Sequence, residues 1–147
     1  YFLQGIDSLW FAGNIADNRF NQNKNYLGEL PKSKIKTDLT EYGNLVLISD
    51  GEVHPRVCTE ALAAGLGVVI SECGIANLDL DMEFITVIPD DMINDLEYIE
   101  TQIIRNRDFS IRNRHAIIEY ACQFDWSNVI EKYYLPSIQK VRSHYDS

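Results

Sequence analysis

The chain has 147 residues, 46% of them hydrophobic and 24% charged, which suits one ordinary globular domain with a core that needs no disulfide or metal staple. Its formal net charge of −9 repels a nucleic-acid backbone and an anionic membrane surface on average, so neither is an expected partner unless a basic patch is hidden in the fold. The three cysteines, Cys58, Cys73 and Cys122, are odd in number and form no C-x-x-C pair; this argues against a disulfide framework or a zinc ribbon and for reduced core cysteines in a cytosolic protein. No apolar run approaches the roughly 20 residues of a membrane span.

The chain opens on Tyr1 without a methionine, which reads as a piece of something longer. Residues 1–5 read either as native sequence or as the remnant of a cleaved tag, and they carry no site argument. Leu9 to Ala12 is a short apolar run ending at Gly13, expected as a buried strand and turn. The Asn-rich stretch 14–25 is expected as loop, and Tyr26-Leu27-Gly28 as a second short strand. Pro31 suits the first turn of a helix carrying Ile35, Leu39 and Tyr42, which Gly43 ends.

Residues 44–48 form a continuous apolar strand of the kind a parallel sheet buries on both faces. A helix is expected over 55–64, with Pro55 in its first turn and Gly65 at its stop. Further strands follow at 67–70 and 84–88, separated by an irregular stretch. Asp90 and Asp91 read as an acidic helix start, with the helix carrying Ile93, Leu96, Ile99 and Ile103 from Met92 to about Asn106. Ser110 can cap a helix reaching Cys122 and Asp125 one beginning at Trp126, which Pro136 is expected to kink or break. Strands alternating with helices predict an α/β class: a Rossmann-like parallel sheet flanked by helices, in one domain spanning 1–147. Such sheets bind ligands beyond the carboxyl ends of their strands, here the loops after Ala12, Leu27, Ile48 and Ile70.

The chemistry concentrates in residues 49–61. Pro55 has no N–H and His54 is a poor side-chain cap, so the amides of Arg56 and Val57 remain as donors at a helix start. A helix N-terminus with free amides suits a diphosphate, and Arg56 adds a full charge beside it. Glu52 in the loop and Glu60 in the helix accept hydrogen bonds only, which suits sugar hydroxyls on either side of that diphosphate. A nucleotide-diphosphate sugar has that shape. The bland alternative is a solvated Glu52 and a Glu60 paired with Arg56 four residues earlier. His54 reads as a phosphate or sugar contact or as an ordinary loop histidine. Arg112, Arg114 and His115 read as a solvated helical face, and the tyrosines and isoleucines of the C-terminal helices as core or interdomain packing.

The segment resembles the signature of GT-B retaining glycosyltransferases of the group 1 or family 4 type: Glu52, seven residues, Glu60, then Ala61-Leu62-Ala63-Ala64-Gly65 and the strand Val68-Val69-Ile70-Ser71. Residues 9–13 resemble that family's strand ending in Gly, 26–30 its next strand and turn, and Phe124-Asp125-Trp126 the aromatic-x-Trp that opens its C-terminal helix. The resemblance covers most of residues 9–141. It implies a donor-binding domain for a hexosyltransferase that passes sugar to a glycan or lipid-linked acceptor with retention. Glu60 would take the ribose hydroxyls, Glu52 the transferred sugar near its anomeric carbon, and the amides of Arg56 and Val57 the distal phosphate. Gly13 and the turn from Gly28 to Leu30 would border the donor, with the turn beside the base. No cofactor or metal is implied, and the substrate is the nucleotide-diphosphate sugar itself.

The departures are a loop that reads Val53-His54-Pro55 where the family favours Gly, the family's Arg/Lys pair, and its N-terminal acceptor domain, neither of which this chain carries. The isolated chain is therefore expected to bind a donor weakly and catalyse nothing. The resemblance implies a cytoplasmic protein, with membrane contact at the inner face only through the full-length form. Two other classes compete: a flavodoxin-like signalling or binding module, disfavoured because Gly13-Asn14 replaces its acidic pair, and a glycosyltransferase-like domain that keeps the fold as a non-catalytic interaction surface.

Overall fold

The structure is a computed structural model that describes residues 2–14, 23–49, 51 and 56–139. Three parallel strands lie at its centre in the order β1 (Asn44–Leu47), β2 (Gly67–Ser71), β3 (Ile85–Ile88). Leu47 stands opposite Ile70, and Ile70 opposite Val87. The class is therefore α/β, with a small parallel sheet between helices.

Alternation along the strands sorts the core into two layers, because successive side chains point to opposite faces. Leu45, Leu47, Val68, Ile70, Ile85 and Val87 belong to one cluster, completed by Leu62 and Ile117. These last two come from α2 (Arg56–Ala63) and α4 (Arg114–Ala121), which pack against each other. Val46, Val69 and Ile88 belong to the other cluster, covered by Ile99 and Ile103 of α3 (Leu96–Arg112). β2 is buried along its whole length, as a central parallel strand must be. Leu3 and the buried Ile6 pack into the second layer, so the opening segment contributes two side chains to the core.

The α2 stop follows from Gly65, whose φ of 78° only glycine adopts without strain. Its N–H donates to Leu62 O and the N–H of Leu66 to Ala61 O, the paired bonds of a Schellman end.

Several boundaries differ from the sequence expectation. The runs at 9–12 and 26–28 make a single parallel bridge, Phe11 to Tyr26, and are not strands of the sheet. The first helix is α1 (Lys32–Asp38), continued by a 3-10 turn over Leu39–Glu41. The expected helix at Met92 begins at Leu96, because Asp95 accepts from the Tyr98 amide and caps it there; Asp90–Met92 is a 3-10 turn. α3 then runs through Ser110, whose buried hydroxyl lies in the last turn of that helix and caps nothing. The apolar stripe of Ile99 and Ile103 continues as Asn106 and Ser110, so the polarity that suggested a helix end is buried polarity. Asp125 does cap α5 (Trp126–Val129), by accepting from Ser127 N. Pro136 does not break the last helix: a π-helical turn over Ile130–Tyr134 precedes it and residues 135–139 remain helical. Of the cysteines, Cys58 is buried, but Cys73 and Cys122 are exposed, so the core reading holds for one of three.

Candidate functional site at the carboxyl edge of the sheet

The carboxyl ends of β1 and β2 and the start of α2 lie on the same side of the sheet, where the strand–loop–helix connection of a parallel unit turns. Arg56 is the first residue of α2, with Val57 next; both are exposed, Val57 by 38%. Among the described residues nothing accepts from either amide. At the start of α2 the Arg56 and Val57 amides therefore have no acceptor among the described residues, and the Arg56 cation belongs to the same turn.

Glu60 is exposed, and no ion pair joins it to Arg56 among the described residues. The bland explanation for the two charges, a pair across one helical turn, is therefore not what the structure forms. Arg56 makes a different local contact: its carbonyl accepts from the Thr59 hydroxyl at 2.8 Å. Glu52 and His54 lie outside the described residues, as do Val53 and Pro55.

Gly13 and Gly28 do come together. The N–H of Gly13 donates to Gly28 O at 2.9 Å and the Tyr26 hydroxyl donates to Gly13 O at 2.8 Å. Both glycines have positive φ, 125° and 75°, and Leu30 is half-buried just beyond. Because the Gly13 amide and carbonyl are both engaged by the protein, this turn offers shape to a ligand more than hydrogen bonds. No hydrogen bond links it to α2 among the described residues.

Sequence reasoning missed the polar cluster that joins the two strand ends. Ser71, the last residue of β2, is 1% exposed. Its hydroxyl accepts from Ser49 N at 3.0 Å and donates to Ser49 O at 2.7 Å. The Cys73 thiol donates to the same carbonyl at 2.6 Å, and Gly51 N donates to Ser49 Oγ at 3.4 Å. The available signal was a serine at or just beyond the end of each of two neighbouring apolar strands. Arg114 also departs from its expected solvated face: its guanidinium donates to Thr40 O and Tyr42 O at 2.8 and 2.7 Å, holding the segment that leads into β1.

Among the described residues no group of three His, Cys, Asp or Glu side chains is placed to hold a metal ion, and no helix is long and apolar enough to cross a membrane. An open hollow lies elsewhere, lined by Gln123, Asn128, Glu131, Lys132 and Tyr133. The C-terminal helical segment beside it exposes Trp126 (73%), Ile130, Tyr133, Tyr134, Leu135 and Ile138. No family model, curated protein or solved structure matches the chain.

Proposed function

We propose that the chain is the donor-binding half of a retaining glycosyltransferase with a Rossmann-like sheet, holding a nucleotide-diphosphate sugar at the open start of α2. The observation that carries this reading is the pair of amides at Arg56 and Val57 with no described acceptor, at the carboxyl side of a parallel sheet. Exposed donors at a helix start attract a diphosphate, and Glu60, unpaired with Arg56, is available to ribose hydroxyls. Glu52, which the resemblance puts at the transferred sugar, precedes the first residue of α2 by four positions in the sequence.

As the bond from sugar to diphosphate breaks, negative charge grows on the leaving phosphate. Amides and a guanidinium already aimed at that position stabilise it without reorganising. The acceptor and the remaining cations would come from an N-terminal domain. The apolar side chains exposed along 126–138 support such an interdomain contact, since large apolar surface of this kind marks an interface. The isolated chain accordingly binds donor and transfers nothing.

The experiment is a titration of this chain with UDP, GDP and their sugar conjugates, alongside Glu60→Ala. Millimolar or tighter binding of one nucleotide, lost in Glu60→Ala with the fold intact, supports the reading. Equal affinity of wild type and variant contradicts it.

A second reading, a non-catalytic interaction domain, is favoured by the location of the hollow and the exposed apolar stripe on the C-terminal helical segment. Absence of nucleotide binding at millimolar concentration selects it.

A further inference from the structure

The ladder between β1 and β2 pairs Leu47 with Ile70 at its carboxyl end. Beyond it, the chain leaves β1 through Ile48 and Ser49 towards α2. Ser49 lies past the last residue of β1, yet both its backbone groups are engaged by one side chain, the Ser71 hydroxyl. A hydroxyl can donate once and accept twice, so this single group does what a ladder pair would do. It is buried at 1% exposure at the end of an otherwise apolar strand, where an unused hydroxyl would be costly.

We propose that Ser71 is a positioning residue of the donor site: its hydroxyl sets where the chain departs from β1 and so how it is directed towards the start of α2. This rests on the donor-binding reading. Cys73 supplies a second donor to the same Ser49 carbonyl, but only Ser71 also receives the Ser49 amide. Gly51 N then bonds to Ser49 Oγ, carrying the hold one step further along the connection. The apolar core on both faces of β2 is untouched by this arrangement. Removing the hydroxyl should therefore loosen the connection while the sheet stays intact. A site that must first reach its binding-competent arrangement loses affinity in proportion to the fraction of molecules lacking it.

The test compares wild type, Ser71→Ala and Ser71→Thr, with UDP and GDP as probes and backbone amide hydrogen exchange as the independent measure. In Ser71→Ala the Ser49 and Gly51 amides should exchange at least about tenfold faster, with Val69 and Ile70 within about twofold of wild type. Nucleotide affinity should fall about tenfold. Ser71→Thr, which keeps the hydroxyl, should restore both. Unchanged exchange at Ser49, or equal acceleration at Val69 and Ile70, overturns the proposal, the latter by making Ser71 a general structural residue. Nucleotide binding by wild type that Ser71→Ala leaves intact overturns this proposal alone. A wild-type chain that binds neither nucleotide overturns the donor reading and this proposal with it.

Discussion

The two ends of the parallel sheet differ in how their polar groups are satisfied. At the amino end buried polar side chains, the Ser110 hydroxyl excepted, are hydrogen-bonded inside the core. Asn106, 2% exposed on α3, donates to Val68 O, Phe84 O and the Thr86 hydroxyl and accepts from the Asn44 amide, which also donates to Ile103 O. Gly67 lies against this group so tightly that a Cβ there would stand 2.1 Å from Ser110 Oγ and 2.4 Å from Asn106 Oδ1. At the carboxyl end the Arg56 and Val57 amides have no acceptor among the described residues, and Arg56 and Glu60 are exposed and form no ion pair with each other. Ser71, buried at this same end, is paired with Ser49. Both ends thus hold buried, paired side chains, but only the carboxyl end also shows backbone donors with no described acceptor, and on the donor-binding proposal that is where a ligand would be recognised.

This contrast can be broken first where it is strongest. Asn106→Leu takes one of two acceptors from the Asn44 amide and a side-chain donor from Val68 O, Phe84 O and the Thr86 hydroxyl, although the Asn44 amide keeps Ile103 O and Phe84 O keeps the Val68 amide. Urea denaturation should show a loss of about 2 kcal/mol or more; a loss under about 1 kcal/mol would mean that water replaces the lost partners at this end. Gly67→Ala forces a methyl group onto Ser110 and Asn106 and should cost about 1–3 kcal/mol by the same measurement. Ser110→Ala should go the other way. Its hydroxyl is buried without a hydrogen-bond partner, so removing it is expected to be neutral or stabilising by up to about 1 kcal/mol, read as an unchanged or raised melting temperature. Glu60→Ala, at the open end, should shift stability by no more than about 0.5 kcal/mol while abolishing nucleotide binding. A large destabilisation there would mean that Glu60 serves the fold.

Much of the frame was legible from periodicity and stop signals. The three parallel strands, α2 with its stop at Gly65 and the start of α5 at Asp125 follow from apolar runs, glycine and capping chemistry, although β2 alone is buried along its whole length and β1, at the sheet's edge, is half-buried throughout. The expected strands at 9–12 and 26–28 did not form as ladders, because a short apolar run says nothing about whether a partner strand lies within reach. The end of α3 was misplaced because Asn106 and Ser110 look like a helix boundary until the carbonyls they face are known. Arg114 looked solvated for the same reason: its acceptors, Thr40 O and Tyr42 O, are more than seventy residues away in sequence. At the site, a helix beginning near Arg56 could be read from the sequence, whereas the two serines behind the Ser49–Ser71–Cys73 cluster gain their meaning only from the register of two strands.

The most direct measurement follows the backbone amide resonances of the isotope-labelled chain as nucleotide diphosphate is added. The account predicts that the largest shifts fall on Arg56 and Val57, saturate with concentration, and vanish in Glu60→Ala. Shifts that avoid the start of α2, or that gather instead around Gln123 to Tyr133, would contradict it.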